Sequence, residues 1–574
     1  MATLLNKIKS RSIKELMREY AWLGRYTLQY KGEVLWYVIV GLLGTVFSLG
    51  GSILSKVIID TVVGSDSGMI PMVLVFYVLM QLSQIGLHAL SGRISAAVNI
   101  RVNQQITAQV YDKLLSTDWE SLSAYHSGDL LTRIEGDVST IASGVLGWFP
   151  ELFTRLLQFV GTLGVILYYS PILALLALLS APVMLLMSRY VIKMMRHHNQ
   201  KMRDIHSEMT VFNEESFQHI QLIKSFNRTA TYSQQHRRLQ ERYKDAALAF
   251  NRFTICKNTI MSLVSTVVAL FCFLWSITLL QQGAITVGVL ALFLQLAGSL
   301  SATFSALARL VPGAIATATA AGRVMTIIDL PAEEAGDTAA AQAFMQTYGH
   351  DTLSVQGSRL SYHYKDGENV LEDGDFRADS GEIVSIIGPS GEGKTTLLRL
   401  LLGIVTPQGG TLTVQSADGT TVPISAATRP LFAYAPQGNT LFSGTVAENL
   451  RLLRPDATDA ELREALRLAC ADEFVDRLPL QLDTPVREQG NFSEGQLQRL
   501  CIARALLSDA PILLMDECTS ALDADTERQV LQNILSTQKA RICIVTTHRT
   551  SVQNISQRVY AIRGNRIEAM PRTK

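Results

Sequence analysis

The stretch Ile383-Val384-Ser385-Ile386-Ile387-Gly388-Pro389-Ser390-Gly391-Glu392-Gly393-Lys394-Thr395-Thr396 decides the fold. Its first five residues are an apolar, mostly β-branched run of strand length, and Leu397 to Leu402 continue it with an apolar helical segment. Between them stands G-x-x-x-x-G-K-[ST], in the strand–loop–helix setting that gives the motif its meaning. The glycines at 388, 391 and 393 let the backbone N–H groups of the loop close around phosphates, with Pro389, Ser390 and Glu392 between them and Thr396 behind. Lys394 supplies a point charge to the β- and γ-phosphates, Thr395 a hydroxyl for Mg²⁺, and the helix start a favourable dipole. Roughly 120 residues further on, Ile512-Leu513-Leu514-Met515-Asp516-Glu517 reads as a second buried strand that ends in two carboxylates. In P-loop NTPases an acid at this place holds Mg²⁺. That assigns Asp516 to the metal and Glu517 to the attacking water, as base or orienting group.

Outside this stretch the 574 residues are of two kinds. Charged residues make up 18% of the chain, below the roughly 25% of soluble domains, and mean hydropathy is +0.20 at a net charge of +1. That balance gives no basic excess for a nucleic-acid partner, and it excludes disorder, fibres and a small disulfide scaffold. The six cysteines form no CxxC pair and read as buried or reduced thiols. Low charge is concentrated in the first part of the chain. Val34–Ser55 and Met69–Gly92 are uncharged, and Leu156–Ser188 and Thr259–Leu307 are uncharged runs of double length, divided at Ser170-Pro171 and Gly283. A spanning helix needs about 20 apolar residues. Six spans follow, at about 34–60, 69–92, 145–169, 171–190, 259–281 and 286–308. Ahead of them, Ile13, Leu16, Met17, Tyr20 and Leu23 repeat at helical spacing among charges, which predicts an interfacial helix over about 10–25.

Lys and Arg crowd 93–155 and 189–257 but are missing near 60–68, 169–171 and 281–286, so the basic segments and both ends of the membrane half face the cytoplasm. Val183–Gln282 contains no Gly or Pro over 100 residues, and Arg93–Ser127 none over 35. The spanning helices are therefore expected to run on into the cytoplasm as long hairpins with loops at their tips. A helix from Pro171 to Thr210 would reach about 60 Å.

With strand, P-loop, carboxylate pair and membrane half in place, the whole chain resembles an ABC transporter half. The resemblance implies an all-α six-helix exporter-type transmembrane domain (1–326), a linker (327–350) and an α/β P-loop NTPase nucleotide-binding domain (351–574) that uses ATP and Mg²⁺. Onto the family's motifs fall several further residues. Tyr364, rather than Tyr362, matches the aromatic that stacks on adenine. Gln437 in Tyr434-Ala435-Pro436-Gln437 matches the glutamine that meets Mg²⁺ or the water. Asp523 in Ser520-Ala521-Leu522-Asp523 matches the D-loop, and His548 the histidine that contacts the γ-phosphate. Ser127-Gly128-Asp129-Leu130-Leu131-Thr132-Arg133 and Glu214-Glu215-Ser216-Phe217 through Ile220–Phe226 are similar to the two coupling regions of exporters.

The signature departs from Leu-Ser-Gly-Gly-Gln. It reads Phe492-Ser493-Glu494-Gly495-Gln496, keeping Ser493, Gly495 and Gln496 for a γ-phosphate but adding a carboxylate at Glu494. Upstream, Val486-Arg487-Glu488-Gln489-Gly490 resembles the exporters' Val-Gly-Glu-x-Gly with one glycine replaced. Because such sites are shared between two chains, the resemblance implies a second half-transporter. A homodimer is the first expectation, and a heterodimer with one degenerate site the alternative. The implied activity is ATP hydrolysis coupled to export by alternating access in a bacterial inner or plasma membrane, with the nucleotide-binding domain in the cytoplasm. Import of a metal chelate, or an ATP-gated channel or sensor, stands behind it. Cargo is left open among small molecules, lipids and peptides. Gln81, Gln84, His88, Gln158, Gln295, Ser299 and Ser301 are the polar groups within spans that either line a pathway or bond between helices.

Overall fold

A computed structural model describes residues 13–64, 68–175, 201–202, 204–349, 351–364, 367, 369–389, 391–438, 440–486, 492–536 and 541–571. The chain forms two compact units: Met1–Asp112 with Ser127–Asp329, and Lys113–His126 with Leu330–Lys574.

The first unit is helical. Four of its described helices are long and apolar enough to cross a membrane: Lys31–Val63, Ile70–Leu115, Ser127–Tyr169 and Val287–Phe304. A fifth expected span is the last part of the helix Thr229–Gln281. The expected span 171–190, and with it most of the helix Pro171–Thr210, lies outside the described residues from 176 on. The apolar window of Ile70–Leu115 buries nothing inside the protein, and Leu74, Val75, Phe76, Leu79, Leu82 and Ile85 point outward. Such a surface is stable only against lipid or another chain.

Where helices of this unit meet, small residues let them close. A Cβ on Gly144 would sit 2.3 Å from Thr317 Cγ2, and one on Gly288 2.4 Å from the Lys56 carbonyl. The start of the helix Val287–Ile328 is fixed by Asp60 of the first span, which accepts from the Thr286 hydroxyl at 2.9 Å and the Gly288 N–H at 2.8 Å. An apolar cluster of Leu292, Phe293, Leu296 and Leu300 with Ile166, Leu173 and Leu279 continues from there. The helix expected at the membrane interface spans Ile13–Gln29, buries Leu23 and Tyr26, and sets Tyr20 against Trp148.

The second unit holds two sheets. Strands β1 (Leu353–His363), β2 (Asn369–Asp379), β4 (Gly409–Ser416) and β5 (Thr421–Pro423) form an antiparallel sheet in the order β2-β1-β4-β5. The larger sheet has the order β10-β9-β3-β8-β7-β6, from β3 (Ile383–Ile387), β6 (Phe432–Ala435), β7 (Ile512–Asp516), β8 (Ile542–Thr546), β9 (Arg558–Arg563) and β10 (Arg566–Met570). All its pairs are parallel except β9–β10. β7 and β8 are buried throughout, which is why they read as unbroken apolar runs. A helical region from Val446 to Leu507 packs on the other side of β7 and carries the signature at the start of the helix Glu494–Leu507.

One local feature differs from the sequence reading. Residues 327–350, expected as a linker, hold a helix Thr338–Tyr348 whose Ala341 and Phe344 are buried in the unit's core. Within the stretch that lacks Gly and Pro, a turn stands at 226–228, with Asn227 in the left-handed region at φ 53°. Asparagine tolerates that conformation better than most side chains.

Candidate functional site

The larger sheet brings its site together at the carboxyl ends of β3, β7 and β8, the usual crevice of open parallel sheets. The loop after β3 turns back through Gly388 (φ 155°), Gly391 (φ 89°) and Gly393 (φ 100°). At two of these a side chain has no room: a Cβ on Gly388 would lie 2.6 Å from the Ile562 carbonyl, and one on Gly393 2.7 Å from Val370. The helix Lys394–Leu401 starts directly on the loop, so its first N–H groups face the same space. Lys394 is buried and curls over that space, donating to the carbonyls of Gly388 at 2.8 Å and Pro389 at 2.9 Å. Thr395 stands beside it, half-buried. Glu392 turns its carboxylate away, to the N–H of Gly564 at 3.0 Å. Ser390 lies outside the described residues.

β7 ends in Asp516, buried, which accepts from Thr546 Oγ1 at 2.7 Å. Burial, helped by the neighbouring Asp516, pushes the Tyr434 phenol well above its usual range, so that it stays a neutral donor. Glu517 follows at φ 45°, a conformation a non-glycine residue keeps only where its surroundings fix it. Its N–H donates to Thr546 Oγ1 at 2.9 Å. Its carboxylate gathers three partners: Gln437 Nε2 at 3.0 Å, His548 Nε2 at 2.9 Å and Lys394 Nζ at 3.6 Å. Lys394 and His548 are themselves 3.2 Å apart. Lys394, Gln437, Glu517 and His548, expected from four separate motifs, thus form one cluster with Asp516 behind it.

Tyr364 and Tyr362 divide as follows. Tyr362 is buried in the core, while Tyr364 is half-buried, its ring perpendicular to that of Tyr362 and its hydroxyl 3.1 Å from Thr396 Oγ1. Of the two, only Tyr364 keeps exposed surface.

Ser493, Gly495, Gln496 and Asp523 are not drawn into this cluster. Ser493 caps its helix and closes a capping box with Gln496, whose Oε1 accepts the Ser493 N–H at 2.8 Å. Glu494 is exposed at the first helical position. Gly495 lies against the D-loop, where a Cβ would be 2.9 Å from the Ala521 carbonyl, and Gln498 bonds Ser520 and Ala521. Asp523 caps the next helix through Thr526, whose N–H and hydroxyl hold its carboxyl below the usual carboxylate range. Arg487–Asn491 lie outside the described residues. Among the described residues the D-loop meets this cluster through the backbone alone, the Ser520 N–H donating to the Glu517 carbonyl at 3.1 Å.

Sequence reasoning missed Thr546, which ties Asp516 to Glu517, and Arg549, which donates to the carbonyls of Ser520 and Leu522 and braces the D-loop. Both flank His548 closely enough that the Thr546-Thr547-His548-Arg549 run was a usable signal. For Mg²⁺ the donor chemistry fits: the Thr395 hydroxyl, the Asp516 carboxylate and the side-chain oxygen of Gln437 are hard oxygen ligands. In the membrane unit, Gln84, His88 and Gln158 line one pocket of about 230 Å³ together with Tyr37, Glu151 and Arg155. Gln81 instead bonds Tyr77 on its own helix.

Known proteins resemble this chain in both of its units. Residues 34–304 match the family model for the ABC transporter transmembrane region, and residues 371–520 match the ABC transporter model. An uncharacterized ABC transporter ATP-binding protein of Bacillus subtilis (strain 168) is 26% identical, over 95% of this chain and 89% of that protein. An ATP-dependent lipid A-core flippase of Neisseria gonorrhoeae is 29% identical, over 82% and 75%. A β-(1→2)glucan export ATP-binding/permease protein of Rhodopseudomonas palustris is 29% identical, over 80% and 75%. In fold, the chain is similar to a bacterial Atm1-family ABC exporter solved with ATP bound, with a TM-score of 0.75 at 22% identity, covering 94% of each chain.

Proposed function

Because the chain belongs to the ABC transporters, as a half-transporter with one transmembrane region fused to one ATP-binding domain, we propose that it works as a dimer that exports cargo at the expense of ATP. The observation that carries the reading is the cluster in which Glu517 is held by Gln437, His548 and Lys394 at the ends of β3 and β7. A carboxylate fixed by three side chains beside a P-loop is placed to take a proton from, or orient, a water aimed at a γ-phosphate. Lys394 and the loop amides offset the charge of the phosphates, and His548, beside Lys394, contacts the γ-phosphate. Mg²⁺, held by Thr395, Asp516 and Gln437, would offset charge on the β- and γ-phosphates.

The separation of Ser493 and Gly495 from Lys394 within one chain supports a second chain. Each signature helix then offers its first N–H groups to the nucleotide of the other chain. A homodimer fits the intact Ser493–Gln496 cap, and Glu494 keeps the heterodimer as the alternative. The basic segments 93–155 and 189–257 support a cytoplasmic ATP-binding domain, and so an inner or plasma membrane location. Closure of two such domains on two ATP molecules turns the membrane cavity outward, and hydrolysis resets it. The pocket of Gln84, His88 and Gln158 is where we place a polar group of the cargo. The names of the relatives span lipid, glucan and drugs, so the class of cargo stays broad.

Glu517→Gln tests the assignment. ATP binding is expected to persist while steady hydrolysis falls by at least about a hundredfold, the range for loss of a general base. Retained turnover in that variant rejects it.

A further inference from the structure

The segment Lys113–His126, between the helices Ile70–Leu115 and Ser127–Thr132, belongs to the same compact unit as the ATP-binding domain. It turns at Thr117 and Asp118. Asp118 then caps a short helix, Trp119–Ser123, by accepting from the N–H groups of Glu120 at 2.9 Å and Ser121 at 3.1 Å. The turn is pinned to the strap that opens the C-terminal part of the unit. The Asp118 N–H donates to the Pro331 carbonyl at 3.2 Å, and the Glu333 N–H to the Ser116 carbonyl at 2.9 Å. Held in this way, Trp119 packs against the core, with the Arg399 guanidinium 4.1 Å from its ring centroid. Arg399 is in the last turn of the helix Lys394–Leu401, and its Nη1 donates to the Tyr364 hydroxyl at 2.9 Å. That hydroxyl is also the one within 3.1 Å of Thr396. A planar, half-buried guanidinium stacked on one aromatic and bonded to another has little freedom of its own.

We propose that Trp119 and Arg399 are positioning residues that hold the Tyr364 ring for the adenine base, so that the tip between the second and third membrane helices helps set nucleotide affinity. This rests on the reading of Tyr364 as the base-stacking residue. Among the described residues, the Tyr364 hydroxyl is held by Arg399 and Thr396, and its ring rests perpendicular to Tyr362 against the core. Without the Trp119 stack, Arg399 regains rotamers and the ring loses its orientation. Affinity then falls through lost pre-organisation, not through a lost contact to ATP. Coupling of this kind is reciprocal: whatever moves the tip changes base affinity by the same factor by which the base biases the tip.

The test uses the full-length transporter in lipid nanodiscs, and reads KM and kcat for ATP and the inhibition constant of inorganic tripolyphosphate, which has no base. Trp119→Ala is expected to raise KM for ATP about tenfold, as for loss of a desolvated cation–π contact, with kcat within about twofold and tripolyphosphate inhibition unchanged. Trp119→Phe should recover most of the loss, and Arg399→Lys, the milder change that keeps the test open if Trp119→Ala fails to fold, should reproduce it. Tyr364→Ala should raise KM alone, and Trp119→Ala should add nothing to it. A rise for Tyr364→Ala with none for Trp119→Ala or Arg399→Lys overturns the proposal and leaves the base reading standing. No rise for Tyr364→Ala removes the base reading, and the proposal with it. Additive effects, or tripolyphosphate inhibition weakened in parallel, make Trp119 a plain packing residue and overturn the proposal as well.

Discussion

In the proposed reaction Glu517 carries the chemistry of the site, and its surroundings explain how it is held. A non-glycine residue at positive φ costs on the order of 1 kcal/mol or more, yet here it aims the carboxylate at Gln437, His548 and Lys394. Thr546 bears much of that load: its oxygen accepts the Glu517 N–H, and its hydroxyl donates to Asp516. Thr546→Val removes both bonds and leaves two polar groups unsatisfied, at about 1–3 kcal/mol each. Turnover is expected to drop more than about tenfold while the protein stays folded and Thr546→Ser keeps most activity, which steady-state ATPase assays and thermal melts would read. The motif residues were legible because P-loop and carboxylate pair are contiguous words in the sequence. Thr546 was marked only by its place two residues before His548, and Arg399 not at all, since their roles lie in contacts across the sheet or along a helix.

At the scale of elements, the signature helix is the informative one. Its N-terminus presents free N–H groups and a positive dipole end, which an anion should find attractive. Glu494 in its first turn already occupies part of that field with a carboxylate. If a second chain's γ-phosphate docks there, Glu494→Gly should lower KM for ATP by about threefold, the size of a helix-terminus charge effect. Titrating ATP against turnover would show it, and an unchanged KM would place the carboxylate away from the phosphate. Strands and the P-loop helix were readable because each is a short apolar run bounded by turn residues, as with β7 before Asp516-Glu517. The helix Thr338–Tyr348 was hidden by its Ala-rich, weakly apolar sequence, and becomes apparent only because Phe344 is buried.

For the whole molecule, the account divides labour between two compact units. One presents an apolar surface suited to lipid, and the other carries the P-loop and, in the proposed dimer, half of each of two ATP sites. Low charge in the sequence foretold the first, and the P-loop the second. How many chains assemble was written only indirectly, in a signature that cannot serve its own P-loop. A chain purified alone should therefore be a dimer with ATPase activity if two copies suffice. An inactive monomer that gains turnover only with a different half-transporter would establish the heterodimer. The most direct measurement is mass and ATP turnover of the chain purified alone in nanodiscs, for the unaltered protein and Glu517→Gln side by side. The account predicts a two-chain assembly that hydrolyses ATP, and a Glu517→Gln assembly of the same mass that retains bound ATP without turnover. Turnover that survives Glu517→Gln, or hydrolysis by a single chain, would contradict it.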